Sequence, residues 1–340
     1  GLGGSGAWDV GVANWFDAGT SINAIGNRGT SPATLSSADI AYFVGTAGTA
    51  TIGSTINVGG LNFGTTGYTL TTLSPSASSL NFAATENAIT LNSLNNANAT
   101  STVGATITGT VGGSGNVTVS GGLAAGLVAN TLTLNGVSAG GWSGATTIGV
   151  AQTIALSGLS QALLNTSGIT LNGGSITVTN TSGAEAALNR IANAAAITSN
   201  GGSIVFTNTA SASINYSETL GNISLASGLL TVTQTNANTS PSTQTLALGS
   251  LTRAGSNPTA QANLTGASLG ANVQNVVTIS GQTATTASIA PWMTYNGSDF
   301  AAYNATRAPG NQRAVVGSID ILRTSYFNKS EQFTNGFDFD

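Results

Sequence analysis

Ile169 to Ala184 reads ITLNGGSITVTNTSGA, and Ile197 to Ala212 reads ITSNGGSIVFTNTASA. The two stretches agree at eleven of sixteen positions at an offset of 28 residues, and a looser third copy, ISLASGLLTVTQT, begins at Ile223, 26 residues further on. Within each copy the apolar residues alternate: Ile169 and Leu171 share one face of a short extended segment, and Ile176 and Val178 share one face of the next, with Thr177 and Thr179 opposite. Between them Asn172-Gly173-Gly174-Ser175 reads as a corner, because glycine reaches positive φ without a steric penalty. The pattern predicts two β segments per turn of a coil. One such turn cannot cover its own apolar face; stacked turns can, with the backbones pairing at about 4.7–4.9 Å.

Working outward, the same logic recurs. Ile56, Val58, Leu61 and Phe63 alternate around Gly59-Gly60, residues 103–119 alternate around Gly112-Gly113-Ser114-Gly115, and Thr131 to Asn135 (TLTLN) is a further strand. Ala184 to Ala196 (AEAALNRIANAAA) is the one helix-like stretch, with Leu188 and Ile191 on one helical face, and is expected as a short decoration between turns. The prediction is an all-β, parallel β-helix or solenoid of about ten to thirteen turns, a rod on the order of 50–60 Å long. A β-sandwich of short alternating strands is the competing architecture, but sandwiches seldom keep a near-identical 28-residue repeat.

Composition agrees with stacking. Of 340 residues only 5% are charged and 40% are hydrophobic, with 46 glycines and a net charge of −4. No charge lies between Asp39 and Glu86 or between Glu86 and Glu185. A charge repeated on every turn would sit beside its own copies, whereas Thr, Ser and Asn can form hydrogen-bonded ladders. Low charge with this much apolar content also argues against disorder. Cysteine and histidine are absent, which excludes disulfides, Cys–His zinc sites and thiol catalysis and fits an oxidising, extracellular setting. Seven basic residues give no footprint for nucleic acid, and no apolar run is long enough for a membrane-spanning helix, so neither partner is expected. The chain opens at Gly1 without methionine, as a processed product or a fragment would.

The ends differ from the middle, and three segments are expected: residues 1–45 as an N-terminal cap or docking segment, 46–289 as solenoid repeats, and 290–340 as a C-terminal cap or subunit-docking segment. The first holds Trp8, Trp15, Phe16, Tyr42 and Phe43; the last holds nine of the eighteen charged residues. The candidate subunit contacts are Trp8, Trp15, Trp292, Tyr295, Tyr326, Phe327, Phe333, Phe337 and Phe339, because repeat arrays need atypical ends and aromatics are enriched at interfaces.

Some of these residues also resemble a family. Trp8-Asp9-Val10-Gly11-Val12-Ala13-Asn14-Trp15 resembles the WDxGxxNW opening of autotransporter-associated β-strand repeat proteins. Residues 131–156 (TLTLNGVSAGGWSGATTIGVAQTIAL) resemble their repeat, and the runs 220–228, 248–253 and 291–303 are similar to the very large repeat-bearing surface proteins of planctomycete-type bacteria. The resemblance implies a right-handed parallel β-helix outside the cell and nothing catalytic.

Chemistry-bearing residues are sparse. Glu185 and Glu218 fall at near-equivalent places on successive turns and could be drawn as a glycosidase pair, but are expected as solvated acids. Asp9 and Asp17 flank Trp8 and Trp15 and are expected as turn caps, short of the oxygen set calcium needs. Trp142, Trp292 and Tyr295 could stack on sugars; filling corners of the coil or a subunit contact is the plainer expectation. The Thr-x-Thr runs fit outward strand positions. The sequence therefore predicts a secreted structural protein with no catalysis, metal or cofactor. Its expected partner is itself, head to tail, by β contacts at the ends; the alternatives are a stalk or adhesin segment, with surface glycans as ligands, and a carbohydrate-active β-helix.

Overall fold

A β-coil must turn corners to close on itself, and in the computed structural model each coil does so three times. The structure describes residues 4–8, 39–304 and 314–317, apart from 75–76, 93–101, 122–128, 137–139, 187, 210–213, 238–241, 256, 268, 270–273, 283–284 and 289. One face, called A here, is a parallel ladder of eleven strands. It runs Gly6–Trp8, Thr49–Ile52, Tyr68–Thr72, Gly104–Ile107, Asn130–Asn135, Gln152–Ser157, Ser175–Asn180, the second halves of Ala196–Asn208 and Ile223–Asn236, then Gln261–Thr265 and Met293–Tyr295. Face B is a parallel ladder of nine: Ile40–Phe43, Gly60–Phe63, Glu86–Leu91, Asn116–Gly121, Thr146–Ile148, Gly168–Leu171, the first halves of Ala196–Asn208 and Ile223–Asn236, and Leu251–Arg253. Ten intervals on face A give a rod of about 48 Å at about 4.8 Å each, just below the expected length.

The third face, C, is not distinguished as a face of its own in the sequence, where its residues Ile56 and Val58 read together with Leu61 and Phe63. It has two short parallel sheets, Ile56–Val58, Leu80–Phe82 and Val111–Gly112, and Tyr216–Thr219, Gln244–Leu248 and Asn275–Ile279. Between them the face is carried by the single parallel bridge from Leu163 to Ile191. Each coil runs A, C, B and back to A. The expected helix at 184–196 is thereby corrected: Gly183–Glu185 forms one 3₁₀ turn, and the chain then extends along face C so that Ile191 can pair with Leu163.

The quoted repeats supply face B, a corner and face A in succession. Ile169 pairs with Ile197 and Ile197 with Ile223; Ile176 pairs with Ile204 and Ile204 with Val232. Both files point inward and are at most 2% exposed, each side chain contributing about 1.5–3 kcal/mol by leaving water. The corner needs its glycines. Gly202 has φ of 115°, and a Cβ there would lie 2.1 Å from the Gly174 carbonyl oxygen of the preceding coil. Polar side chains outside the corner stack in the same register: the Asn200 amide donates to Asn172 Oδ1 at 2.8 Å, and Ser203 Oγ donates to Ser175 Oγ at 2.8 Å.

The two ends of the described coil are built differently. At the N-terminal end Trp8 is buried and meets Phe43 edge-on at 5.6 Å, and Phe43 stacks on Phe63 at 4.9 Å. Tyr68 closes this cluster, its Oη shared between the Val44 and Thr46 carbonyls at 2.7 and 2.8 Å. At the C-terminal end strand polarity reverses. Asp299–Asn304 runs antiparallel to Met293–Tyr295, the last rung of face A, and also antiparallel to Thr285–Ser288 and Ala314–Gly317.

Candidate functional site

Two features stand out on face C, one buried and one open. The buried one assembles around Arg190, which is fully enclosed, with Glu185 4% and Glu218 2% exposed. Arg190 enters the space left where the ladder of face C is interrupted. Its Nη1 donates to the carbonyls of Leu156 at 2.9 Å and Thr179 at 3.0 Å, both on face A strands, and its Nη2 lies 3.3 Å from Glu185 Oε2. Glu185 also accepts from the Thr181 amide, from Thr181 Oγ1 at 3.1 Å and from Ser182 Oγ at 3.2 Å, which folds the 3₁₀ turn around its own carboxylate. Glu218, one coil on, accepts from the Arg190 amide on both oxygens at 3.2 Å and from the Ile191 amide at 3.1 Å.

Electrostatics follow the burial. Loss of solvent pushes the Glu218 pKa up to about 8, against the opposing pull of the Ile191 and Arg190 amides and the Arg190 charge. Burial likewise lowers the Arg190 pKa from its ordinary value, with the Glu185 and Glu218 charges opposing. Tyr216, whose Oη donates to the Ser182 carbonyl at 3.1 Å, is pushed up by burial and by the Glu185 charge. The expectation that Glu185 and Glu218 are solvated acids is thus overturned: both are buried, Glu185 on the Arg190 guanidinium and Glu218 on the backbone amides of Arg190 and Ile191. The arrangement ties the 181–195 segment to the coils on either side. A glycosidic oxygen would have to reach carboxylates that solvent scarcely touches and that backbone amides already occupy. The signal was present in the sequence: Arg190 and Glu218 are 28 residues apart, the spacing of the repeat itself.

The open feature is a groove of about 830 Å³ along the corner between faces C and B. It crosses the coils that carry Tyr216–Thr219, Gln244–Leu248 and Asn275–Ile279, and its rim begins at Asn193 and Ala194. Its floor is bare backbone. A Cβ on Gly221 would lie 2.1 Å from the Ala195 carbonyl oxygen, and one on Gly249 would lie 2.6 Å from the Gly221 carbonyl carbon. Its walls offer Thr219, Asn222, Thr245, Thr278 and Ser280, and no charged side chain lines it.

The aromatic candidates divide. Trp8 is a core residue and Trp142 is fully buried, its Nε1 donating to Thr146 Oγ1 at 2.8 Å and its ring edge-on to Phe82 at 5.5 Å; Trp142 therefore fills a corner of the coil, as expected, and presents no ring to a sugar. Trp292 and Tyr295 are half-buried against the core, Tyr295 donating to the Leu269 carbonyl at 3.0 Å. Trp15, Tyr326, Phe327, Phe333, Phe337 and Phe339 lie outside the described residues, as do Asp9 and Asp17. The Thr-x-Thr files do align on face A, but Ala155 and Val205 interrupt the file that joins Thr133, Thr177 and Thr233. Among the described residues no group of three or more acidic side chains could hold a metal ion, and no helix is long and apolar enough to cross a membrane.

Comparison with known proteins gives one partial match. Seventy residues, 21% of this chain, are 44% identical to part of the adhesin BmaC autotransporter of Brucella suis biovar 1 (strain 1330). The match spans 2% of that protein's length, so the chain covers only a small part of the relative it matches. No family model matches, and no solved structure matches.

Proposed function

We propose that this chain is a rigid segment of an extracellular adhesin-type passenger, a non-catalytic spacer that needs neither metal nor cofactor. The observation that carries this reading is the uninterrupted parallel ladder of face A, eleven strands with an all-apolar or neutral interior over most of its length. Such a ladder resists bending and proteolysis without disulfides, because every coil is covered by its neighbours. The partial likeness to an autotransporter adhesin supports display at a bacterial surface.

Head-to-tail polymerisation into a fibre is the other use of such a rod. The antiparallel strand Asp299–Asn304 against Met293–Tyr295 weighs against simple continuation of the parallel stack at that end, and so favours the spacer. Negative-stain electron microscopy of the purified chain over a concentration series separates the two. Single rods of one length at every concentration are expected. Filaments with an axial repeat near one rod length would replace the spacer by a fibre subunit. Antibody labelling of intact cells that express the full-length protein tests display, and labelling only after permeabilisation would refute it.

A further inference from the structure

The groove along the corner of faces C and B points to a ligand class that the spacer role alone does not require. We infer that it binds a neutral, linear oligosaccharide laid along the rod axis. This deepens the adhesin reading by naming what the lateral face holds.

Size and shape come first. About 830 Å³ lies within the usual range for ligand clefts, and the groove runs across successive coils, so it suits an extended ligand over a compact one. Chemistry narrows the choice. The lining carries hydroxyls and amides and no charge, while Arg190 and Glu218, which flank lining residues in the chain, are turned into the core. A sulfated or sialylated chain, a phosphate or a charged peptide would lose hydration with no counter-charge in return. An extended peptide would ordinarily bind by adding a strand, but the three strands beneath the groove already pair with one another, and a chain lying across them meets no open edge. What remains is a neutral ligand rich in hydroxyls that both donates and accepts. Thr219 and Thr278 stand on the same file, one coil to either side of Ala247, and so are about 9–10 Å apart along the axis, separated by a small side chain that leaves room between them. Glycine at 221 and 249 keeps the floor free of side chains.

The ligand-binding test uses the whole chain, labelled with ¹⁵N, titrated with linear neutral hexasaccharides of glucose, mannose and N-acetylglucosamine. Sulfated and sialylated oligosaccharides and a Thr/Ser-rich peptide serve as controls. Amide shifts at Gly221, Gly249 and Ser280 are expected with at least one neutral chain, with Kd of about 1 mM as for a shallow site without an aromatic platform. The double variant Thr219→Val/Thr278→Val keeps side-chain shape and strand preference and should weaken binding roughly tenfold. Ala247→Lys, which extends into the groove, should abolish it. Absence of shifts with every neutral chain at several millimolar overturns the inference, as does binding confined to the charged controls or the peptide, or equal binding by both variants. Single rods in the microscope with no glycan binding would sink this inference and leave the spacer reading intact.

Discussion

Faces A and B are continuous ladders, while face C is two short sheets with a gap. On A and B the central inward positions repeat apolar side chains coil after coil, as Ile154, Ile176, Ile204, Val232 and Leu264 do, with buried amides such as Gln152, Asn180 and Gln234 at some strand ends. On C the strands are two to five residues long, and the gap is filled by Trp142, by the Leu163–Ile191 bridge and by Arg190 with its two glutamates. The difference shows a division of labour. Two faces fix the register of the coil, and once they do, the third can hold irregular chain, buried charge and a groove without loss of the stack.

If that division is right, damage to each region should look different. Arg190→Met should cost the most, about 3–5 kcal/mol, because it leaves the enclosed Glu185 carboxylate without its cation and the Leu156 and Thr179 carbonyls without their donor. Urea unfolding gives the total, and hydrogen exchange should place the loss in residues 181–195 first. Loss spread evenly over all three faces would contradict the division. A pH series tests the same cluster from the other side. The folded pKa of Glu218, about 8, exceeds its ordinary 4.5. The proton it holds therefore favours the fold fully below about pH 4.5, and that contribution declines as pH rises to about 8 and is constant above. Glu218→Gln should flatten this decline by up to a few kcal/mol in thermal or urea melts between pH 4.5 and 8; an unchanged slope would show that Glu218 stays ionised in the fold.

Smaller effects belong to the continuous faces. Gly202→Ala combines an unfavourable φ with a contact on the Gly174 carbonyl and should cost about 1–3 kcal/mol; the same substitution at Gly136, where φ is also positive but nothing lies within 4 Å, should cost less, and equal costs would mean that the corner relaxes freely. Asn172→Ala removes one exposed amide ladder contact with Asn200 and should cost about 0.5–1.5 kcal/mol, measured by the same melts. A larger loss would make the outer polar ladder, and not the aliphatic core, the determinant of register.

What could be read from the sequence follows the same division. The period-two alternation at Ile169, Leu171, Ile176 and Val178, the Asn-Gly-Gly-Ser corner and the 28-residue offset were enough to place faces A and B, since each signal is repeated and each repeat must stack on the last. Face C was legible only at Ile56 and Val58, and not as a separate face, because a strand such as Val111–Gly112 is too short to show a period. The alanine-rich run at 184–196 has a helical spacing of Leu188 and Ile191, yet tertiary pairing to Leu163 overrode it. Glu185 and Glu218 read as solvated because acids usually are; only the 28-residue spacing from Arg190 to Glu218 hinted that the two residues meet across successive coils. The groove was invisible, since its floor is the stacking of Gly221 on Ala195 and of Gly249 on Gly221, contacts between coils that no local pattern records.

The Arg190 cluster also sets a rule for how such a gene could lengthen or shorten. At this corner the joint left by an excised coil could be restored, because Ser175 and Ser203 occupy equivalent places 28 residues apart. Removing residues 176–203 would close that joint but take away the Arg190 and Ile191 amides that hold Glu218; removing 204–231 would take Glu218 away from those amides. The two coils are therefore tied by a contact that closing the joint does not restore.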